Sequence, residues 1–158
     1  MRNVILGIGN ILLSDEGIGV RIVEELERLY EFPADVEVLD GGTAGAALYD
    51  DIADADFLLL IDACNAGKPP GTIIELYGDE VPVFFRTRIS PHQLGISDVL
   101  AAMALMDKAP KQIALLGIQP YSLDTGMELS PDMAPKMPDL VKKALEIAAR
   151  YGVVATSR

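Results

Sequence analysis

Short apolar runs alternate with segments of helical periodicity from one end of the chain to the other. The apolar runs have the length of buried strands, and they lie at residues 4–8, 36–39, 57–61, 72–77 and 113–118. Such alternation is typical of a mostly parallel sheet covered by helices. The sequence therefore predicts an α/β fold, a three-layer sandwich in which a mostly parallel, twisted sheet of five strands has helices on both faces.

The predicted helices lie between these runs. Ile18, Ile22, Leu26 and Leu29 recur every three or four residues and predict an amphipathic helix after the first strand. Further helices are predicted at residues 44–52, after Ser97 and Asp98, and at residues 138–151. The helix after Asp98 has a predicted buried stripe of Val99, Leu100, Met103 and Met106. Residues 78–93 and 119–138 show no clear element, and the second is predicted to be an ordered irregular lid or a mobile arm.

Size and charge limit the classes of protein to which this chain can belong. At 158 residues, half of them hydrophobic, the chain predicts a single domain over residues 1–158. The formal net charge of -11 opposes binding to phosphate backbones and anionic lipid, so neither nucleic acid nor membrane is expected as a partner. Cys64 is the only cysteine, which excludes an intrachain disulfide and agrees with a reducing, cytoplasmic location.

The stretch GIGNILLSDEGIG follows the first strand, where a nucleotide-binding loop would lie. Leu12 occupies the position at which a dinucleotide fingerprint needs its third glycine, and no Walker-type Gly-Lys-Ser/Thr occurs. The acid pair Asp15 and Glu16 would repel a pyrophosphate. A structural interpretation is that Ser14 or Asp15 caps the next helix and Glu16 complements the helix dipole.

Glu16, Asp62 and His92 together form a candidate metal site. Asp62 follows the third predicted strand, and His92, the only histidine, lies in a loop before a helix. Ligands bind beyond the carboxyl ends of parallel strands, where Asp62 and the glycine loop should meet. Two carboxylates and an imidazole suit a divalent ion such as nickel or zinc. Each residue also has a simpler interpretation: a helix-dipole acid, an Asx-type turn and a solvated histidine.

The second strand ends in VLDGGTAG. Asp40 stands where a Rossmann enzyme holds a ribose hydroxyl, which favours a nucleotide-binding protein. Alternatively, the segment from Asp40 to Thr43 presents backbone groups to an extended peptide, and Thr43 caps the helix that follows. Cys64 is interpreted as a small core or loop residue and not as a nucleophile, because no histidine relay is visible beside it.

Four segments of the chain together resemble the nickel-iron hydrogenase maturation endopeptidases. They are GIGNILLSDEGIGVRIVEEL, LDGGTAG, the strand-ending Asp62 and ISPHQLGISDVL. The similarity covers nearly the whole chain in the family's order, and it is strongest to the type that serves uptake hydrogenases such as hydrogenase 2. The resemblance implies an endopeptidase, at times classed as aspartic-type, that removes a C-terminal extension from the nickel-loaded precursor of the [NiFe] hydrogenase large subunit.

The resemblance also implies roles for particular residues. By motif match, the metal-contacting and catalytic residues fall on Glu16, Asp62 and His92, with Glu16 preferred over Asp15 because it directly precedes Gly17. The substrate-recognition segment falls on Asp40, Gly41, Gly42 and Thr43. Nickel is then supplied by the precursor and serves as the recognition element, and zinc or cadmium can take its place. Either Asp40 or Asp15 is a candidate general base.

Two other functions remain open. One is a nucleotide-binding or flavin-binding α/β protein, and the other is a nickel chaperone that shares the three ligands but cuts no chain. Binding of common nucleotides would favour the first, and failure to cleave a precursor would favour the second.

Overall fold

The computed structural model describes residues 1–43, 48–87 and 93–158. Its strands are β1 (Asn3–Ile8), β2 (Tyr30–Glu31), β3 (Val36–Gly42), β4 (Phe57–Ala63), β5 (Ile73–Tyr77), β6 (Gln112–Ile118) and β7 (Thr156–Ser157). Five of them form one sheet in the order β3-β1-β4-β6-β5. Neighbouring strands pair in parallel except for β5, which is antiparallel to β6. The predicted five-stranded, mostly parallel sheet is confirmed, and β2 and β7 add a short antiparallel pair that was not predicted.

Helices cover both faces of this sheet. They are α1 (Ile18–Leu29), α2 (Tyr49–Ile52), α3 (Glu80–Thr87), α4 (Gln93–Leu105) and α5 (Met137–Arg150). Successive side chains of a strand point to opposite faces, so Leu59 of β4 packs in the core with α1 and α5, whereas Leu58 and Leu60 pack in the core with α2, α3 and α4. The predicted three-layer α/β sandwich is confirmed.

Residues 78–93 contain a helix that the sequence did not reveal. The segment was predicted to lack a regular element, but α3 occupies Glu80–Thr87. Pro82 lies in its first turn, where a missing backbone N–H is tolerated because that group has no partner inside the helix. Val81, Phe84 and Phe85 are buried against the sheet, so apolar packing holds this short helix.

Helix boundaries differ from the prediction elsewhere. Of the predicted helix at residues 44–52, α2 covers Tyr49–Ile52, and residues 44–47 lie outside the described residues. The predicted start after Asp98 is wrong, because α4 begins at Gln93. The last helix is shifted by one residue and runs from Met137 to Arg150.

The predicted apolar stripes fail at the carboxyl ends of two helices. Val99, Leu100 and Met103 are buried as predicted, but Met106 lies beyond the end of α4 and is 65% exposed. Leu29, the last residue of α1, is 37% exposed. Periodicity continues in the sequence past the point where the helix leaves the sheet, so the pattern overestimates the buried face.

The amino-terminal end of α1 is seated directly on the ends of two strands. A Cβ atom on Gly19 would lie 2.1 Å from the carbonyl oxygen of Ile61 in β4 and 2.6 Å from that of Ile8 in β1. A Cβ on Gly7 of β1 would lie 2.3 Å from the carbonyl oxygen of Gly19. Only glycine permits this approach, which fixes the position of the residues just before α1.

Residues 119–138 form an ordered, mostly irregular segment, which was one of the two predicted alternatives. Gly126 donates its N–H to Leu12 O at 2.9 Å, and Ser14 N donates to Gly126 O at 2.8 Å. A short 3₁₀ helix at Ala134–Lys136 leads into α5. Within the residues that the structure describes, none of the helices combines the length and apolar character needed to cross a membrane.

Replacing Gly19 tests the close seat of α1. Gly19→Ala should lower the free energy of unfolding by about 3 kcal/mol, because the new methyl group collides with backbone carbonyls that cannot rotate away. Gly126→Ala is the matched control, since a Cβ there would meet only Ser14 Oγ, at 3.3 Å. Urea denaturation measures both variants, and equal stability of the two would contradict the proposed packing.

Candidate active site at the carboxyl edge of the sheet

The predicted site residues that the structure describes lie where parallel strands end. The chain leaves β1 into a loop that contains a 3₁₀ helix, Ser14–Gly17. It leaves β3 through the Asp-Gly-Gly-Thr segment, and it leaves β4 just after Asp62. Because β1, β3 and β4 are parallel neighbours, these three exits share one edge of the sheet.

Glu16 lies in this 3₁₀ helix, which contacts both α1 and β4. Its side chain is almost completely buried, and burial raises the pKa of the carboxyl group from 4.5 to about 7. The glycines of the loop serve its close packing: Gly9 has a φ of +135°, and a Cβ there would lie 2.0 Å from Glu16 O. A Cβ on Gly17 would lie 2.8 Å from the Cα of Ile11. The loop is folded tightly upon itself around Glu16.

Asp62 is the second buried acid at this edge. It lies inside β4, paired with Gly117 of β6, because the strand extends to Ala63 rather than ending before Asp62 as predicted. The residue is 2% exposed. Buried carboxyl groups in proteins are hydrogen-bonded, ion-paired or bound to metal. Glu16 and Asp62 thus provide carboxyl oxygens that could bind a metal ion, on two elements that contact each other.

His92 lies outside the described residues, and its position relative to Glu16 and Asp62 stays a prediction. Within residues 1–43, 48–87 and 93–158, no three His, Cys, Asp or Glu side chains are grouped closely enough to hold a metal ion. A three-ligand site at this edge therefore requires a ligand from the remaining segments or from a substrate.

The Asp40–Thr43 segment borders a cleft beside the glycine loop. Asp40 is exposed, and its Oδ1 accepts a hydrogen bond from Gly42 N at 2.9 Å, which closes a tight turn with Gly42 at a φ of +50°. Gly9 N donates to Gly42 O at 2.8 Å and ties the two segments together. The cleft has a volume of about 300 Å³. Its lining residues are Gly9, Asn10, Ile11, Leu12, Val20, Asp40, Gly42 and Thr43.

The predicted cap of α1 by Ser14 or Asp15 is wrong. The N-cap of α1 is Gly17, which makes no side-chain hydrogen bond to the helix. The Ser14 hydroxyl instead donates to Asp124 O at 2.6 Å. Asp15 is fully buried, and its carboxylate accepts four hydrogen bonds from residues 121–130. Tertiary hydrogen bonds to a distant loop have replaced local capping.

Sequence reasoning missed two further polar residues near this edge, Gln119 and Ser130. Gln119 directly follows β6 and is 7% exposed, and its side-chain amide binds the backbone of the loop after β4. The strand-exit rule that identified Asp62 could have found it, since Gln119 is the first residue after an apolar run. Ser130 gave no such signal.

Cys64 is completely buried beside Gly117, which confirms that it is a small core residue.

Another cavity, of about 450 Å³, lies between α3 and α4. Its lining residues are Pro82, Arg86, Leu100, Ala101, Ala104 and Leu105. Among these described residues Arg86 alone is charged, so none of them supplies the carboxyl or imidazole group that general acid–base hydrolysis uses.

The buried Glu16 should make the stability of the metal-free protein depend on pH. Its folded-state pKa of about 7 exceeds its unfolded value, so stability falls as pH rises from about 4.5 to about 7. Glu16→Gln carries no ionisable group, and its advantage over wild type should grow by roughly 2 kcal/mol between about pH 5.5 and about pH 8. Glu27→Gln, an exposed change on α1, should show no such growth. Thermal melts of the chelator-treated proteins at both pH values measure these differences. If Glu16→Gln and Glu27→Gln showed the same dependence on pH, the burial of Glu16 would be refuted.

Comparison with known proteins agrees with this architecture. Residues 20–147 match the family model described as hydrogenase maturation protease. The chain is 45% identical to the hydrogenase 2 maturation protease of Escherichia coli K12, with 100% of this chain and 97% of that protein aligned. It is 43% identical to the hydrogenase expression/formation protein HupD of Thiocapsa roseopersicina, covering 98% of this chain and 71% of that protein.

Solved structures are similar over the same length. The E. coli hydrogenase maturating endopeptidase HybD superposes with a TM-score of 0.96 at 45% identity, covering 100% of this chain and 98% of that one. The [NiFe] hydrogenase maturation protease HybD of Thermococcus kodakarensis gives a TM-score of 0.74 at 29% identity, with 94% and 99% coverage. The resemblance seen in the sequence motifs is confirmed, and the nucleotide-binding interpretation has no support from these comparisons. This chain belongs to the hydrogenase maturation protease family and is a hydrolase, a peptidase.

Proposed function

We propose that this peptidase removes a C-terminal extension from the nickel-loaded precursor of a [NiFe] hydrogenase large subunit. One observation supports it above all: two buried acids, Glu16 and Asp62, lie at the exits of the adjacent strands β1 and β4. The glycine loop that leads to Glu16 also lines a cleft together with the exit of β3. Such an edge can receive a metal ion and a peptide together. Membership of the family and the name of the E. coli relative support hydrogenase as the client.

Nickel in this proposal belongs to the substrate. Glu16, Asp62 and His92 would contact it, and the set of two carboxylates and one imidazole suits nickel as well as zinc or cadmium. Burial makes the charged form of Glu16 unfavourable and so raises its pKa. A cation beside Glu16 would stabilise that charged form, and the attraction would contribute to binding of the cation. The metal would supply positive charge that draws the precursor into place, so that cleavage follows only after nickel insertion.

The cleft beside the glycine loop would hold the extension of the precursor. Asp40, Gly42 and Thr43 contribute to its lining from the exit of β3, and Gly9 and Asn10 contribute from the glycine loop. Of the two acids considered as general base, Asp15 is fully buried and already accepts four hydrogen bonds, whereas Asp40 is exposed in the cleft. Asp40 is therefore the acid that can reach a water molecule next to a bound peptide.

The decisive test compares cleavage of the precursor with and without nickel. Wild-type protein should remove the extension from nickel-loaded precursor and leave the nickel-free form intact, with the new C-terminus identified by mass spectrometry. Glu16→Ala, Asp62→Ala and His92→Ala should remain folded by circular dichroism and fail to process the loaded form. Equal cleavage of both forms would contradict nickel recognition, and cleavage of neither would exclude this precursor as the client.

Replacing Asp40 tests the cleft and the general base. Asp40→Asn retains the oxygen that accepts the Gly42 N–H, so the turn and the melting temperature should be unchanged. Loss of a general base should lower the rate of processing by about 10²- to 10⁴-fold. Asp35→Asn, an exposed acid just before the other end of β3, serves as the control. A wild-type rate in Asp40→Asn, measured in single-turnover assays, would remove Asp40 from the mechanism.

A further inference from the structure

The carboxylate of Asp15 accepts four hydrogen bonds from one distant segment. Its Oδ2 accepts from Tyr121 N at 3.0 Å, Ser122 N at 3.1 Å and Ser130 Oγ at 2.8 Å, and its Oδ1 accepts from Ser130 N at 2.8 Å. Burying a charged group is costly unless hydrogen bonds compensate, and bonds to a charged acceptor are the stronger kind. This residue therefore joins residues 121–130 firmly to the 3₁₀ helix that carries Glu16.

The backbone around Asp15 strengthens the same connection. Asp15 N donates to Ser122 O at 3.2 Å, and Leu13 forms a parallel bridge with Gly126. Ser14 has a φ of 51°, in the left-handed region that non-glycine residues seldom adopt and that persists where surrounding contacts hold it. The backbone conformation directly before Glu16 thus depends on contacts with residues 122–126.

The other end of this segment reaches the exit of β4. Gln119 Oε1 accepts from Ala66 N at 2.7 Å and from Lys68 N at 3.3 Å, and its Nε2 donates to Asn65 Oδ1 at 3.2 Å. Residues 119–130, which we name the strap, therefore bind the loop that follows Asp62 at one end and the helix that contains Glu16 at the other. A single stretch of chain connects the two buried acids of the site.

We infer that Asp15 is a positioning residue: by locking the strap to the 3₁₀ helix, it fixes Glu16 relative to Asp62. This inference rests on the proposed function, in which both acids contact nickel. Asp15 itself is fully buried, and its carboxylate accepts hydrogen bonds from the strap. The two adjacent acids thus have separate tasks, Asp15 in holding the site and Glu16 in forming it.

The test measures Ni²⁺ affinity by calorimetry on purified full-length protein, well below the melting temperature of every variant. Asp15→Asn retains the side-chain volume but turns an amide group towards N–H donors, and it should weaken nickel binding by about tenfold or more. Ser130→Ala removes a single donor to Asp15 and should weaken binding less. Ser122→Ala is the matched control, because the Ser122 hydroxyl accepts a hydrogen bond from Asp124 N, within the strap, and the nickel affinity of this variant should stay within about twofold of wild type.

Ser130→Thr retains the hydroxyl and should restore most of the affinity that Ser130→Ala loses. A merely structural role predicts another result: Asp15→Asn and Ser130→Ala melt at lower temperature yet bind nickel as wild type does while folded. That result would overturn the positioning role and leave the proposed function standing. Glu16→Ala distinguishes the two levels, since nickel affinity unchanged by this substitution would overturn the metal site and the positioning role together.

Discussion

The close contact between α1 and the ends of β1 and β4 is the constraint on which the site depends. Gly7 and Gly19 allow the backbone of the helix to contact the backbone of the strands. A methyl group at either position would overlap a backbone carbonyl oxygen. Because the helix starts directly above β4, the 3₁₀ helix before it must also lie against that strand. Glu16 is consequently buried next to the exit that carries Asp62, and the loss of solvent raises its pKa.

Asp15 and Glu16 show how two adjacent acids acquire different properties from their surroundings. In a 3₁₀ helix, successive side chains are rotated by about a third of a turn, so neighbours face different parts of the protein. Asp15 faces the strap and meets four donors, which satisfy its oxygens. Burial dominates at Glu16 and raises its pKa to about 7, so a substantial fraction of the carboxyl group stays neutral near pH 7. The first acid is therefore suited to hold structure, and the second is suited to respond to a cation.

Local patterns in the sequence predicted the sheet and most helices, because strand runs and apolar stripes are set by residues close together in the chain. Asp62 and Asp40 were found by the same reasoning, since each lies near the carboxyl end of a strand, and Glu16 was found because it lies in the loop that follows the first strand. The failures involve distant partners. Capping by Asp15 was a sound local expectation, but its actual donors lie more than 100 residues away. Residues 78–93 showed no clear element in the sequence, yet burial of Phe85 against the sheet stabilises α3.

The pKa of Glu16 also bears on the proposal that a client carries the metal to this site. With a pKa of about 7, proton competition lowers metal affinity only about twofold at pH 7, and by about tenfold for each further unit below it. The acid therefore ionises readily when a cation arrives, but without one its charge remains costly to bury. A site of this kind gains most from an ion that enters together with a peptide bound in the adjoining cleft, because the peptide adds binding energy that a free ion lacks. In the proposed function, selection for metal-loaded client would then follow from burial of the Glu16 carboxyl group, whose position the strap would maintain.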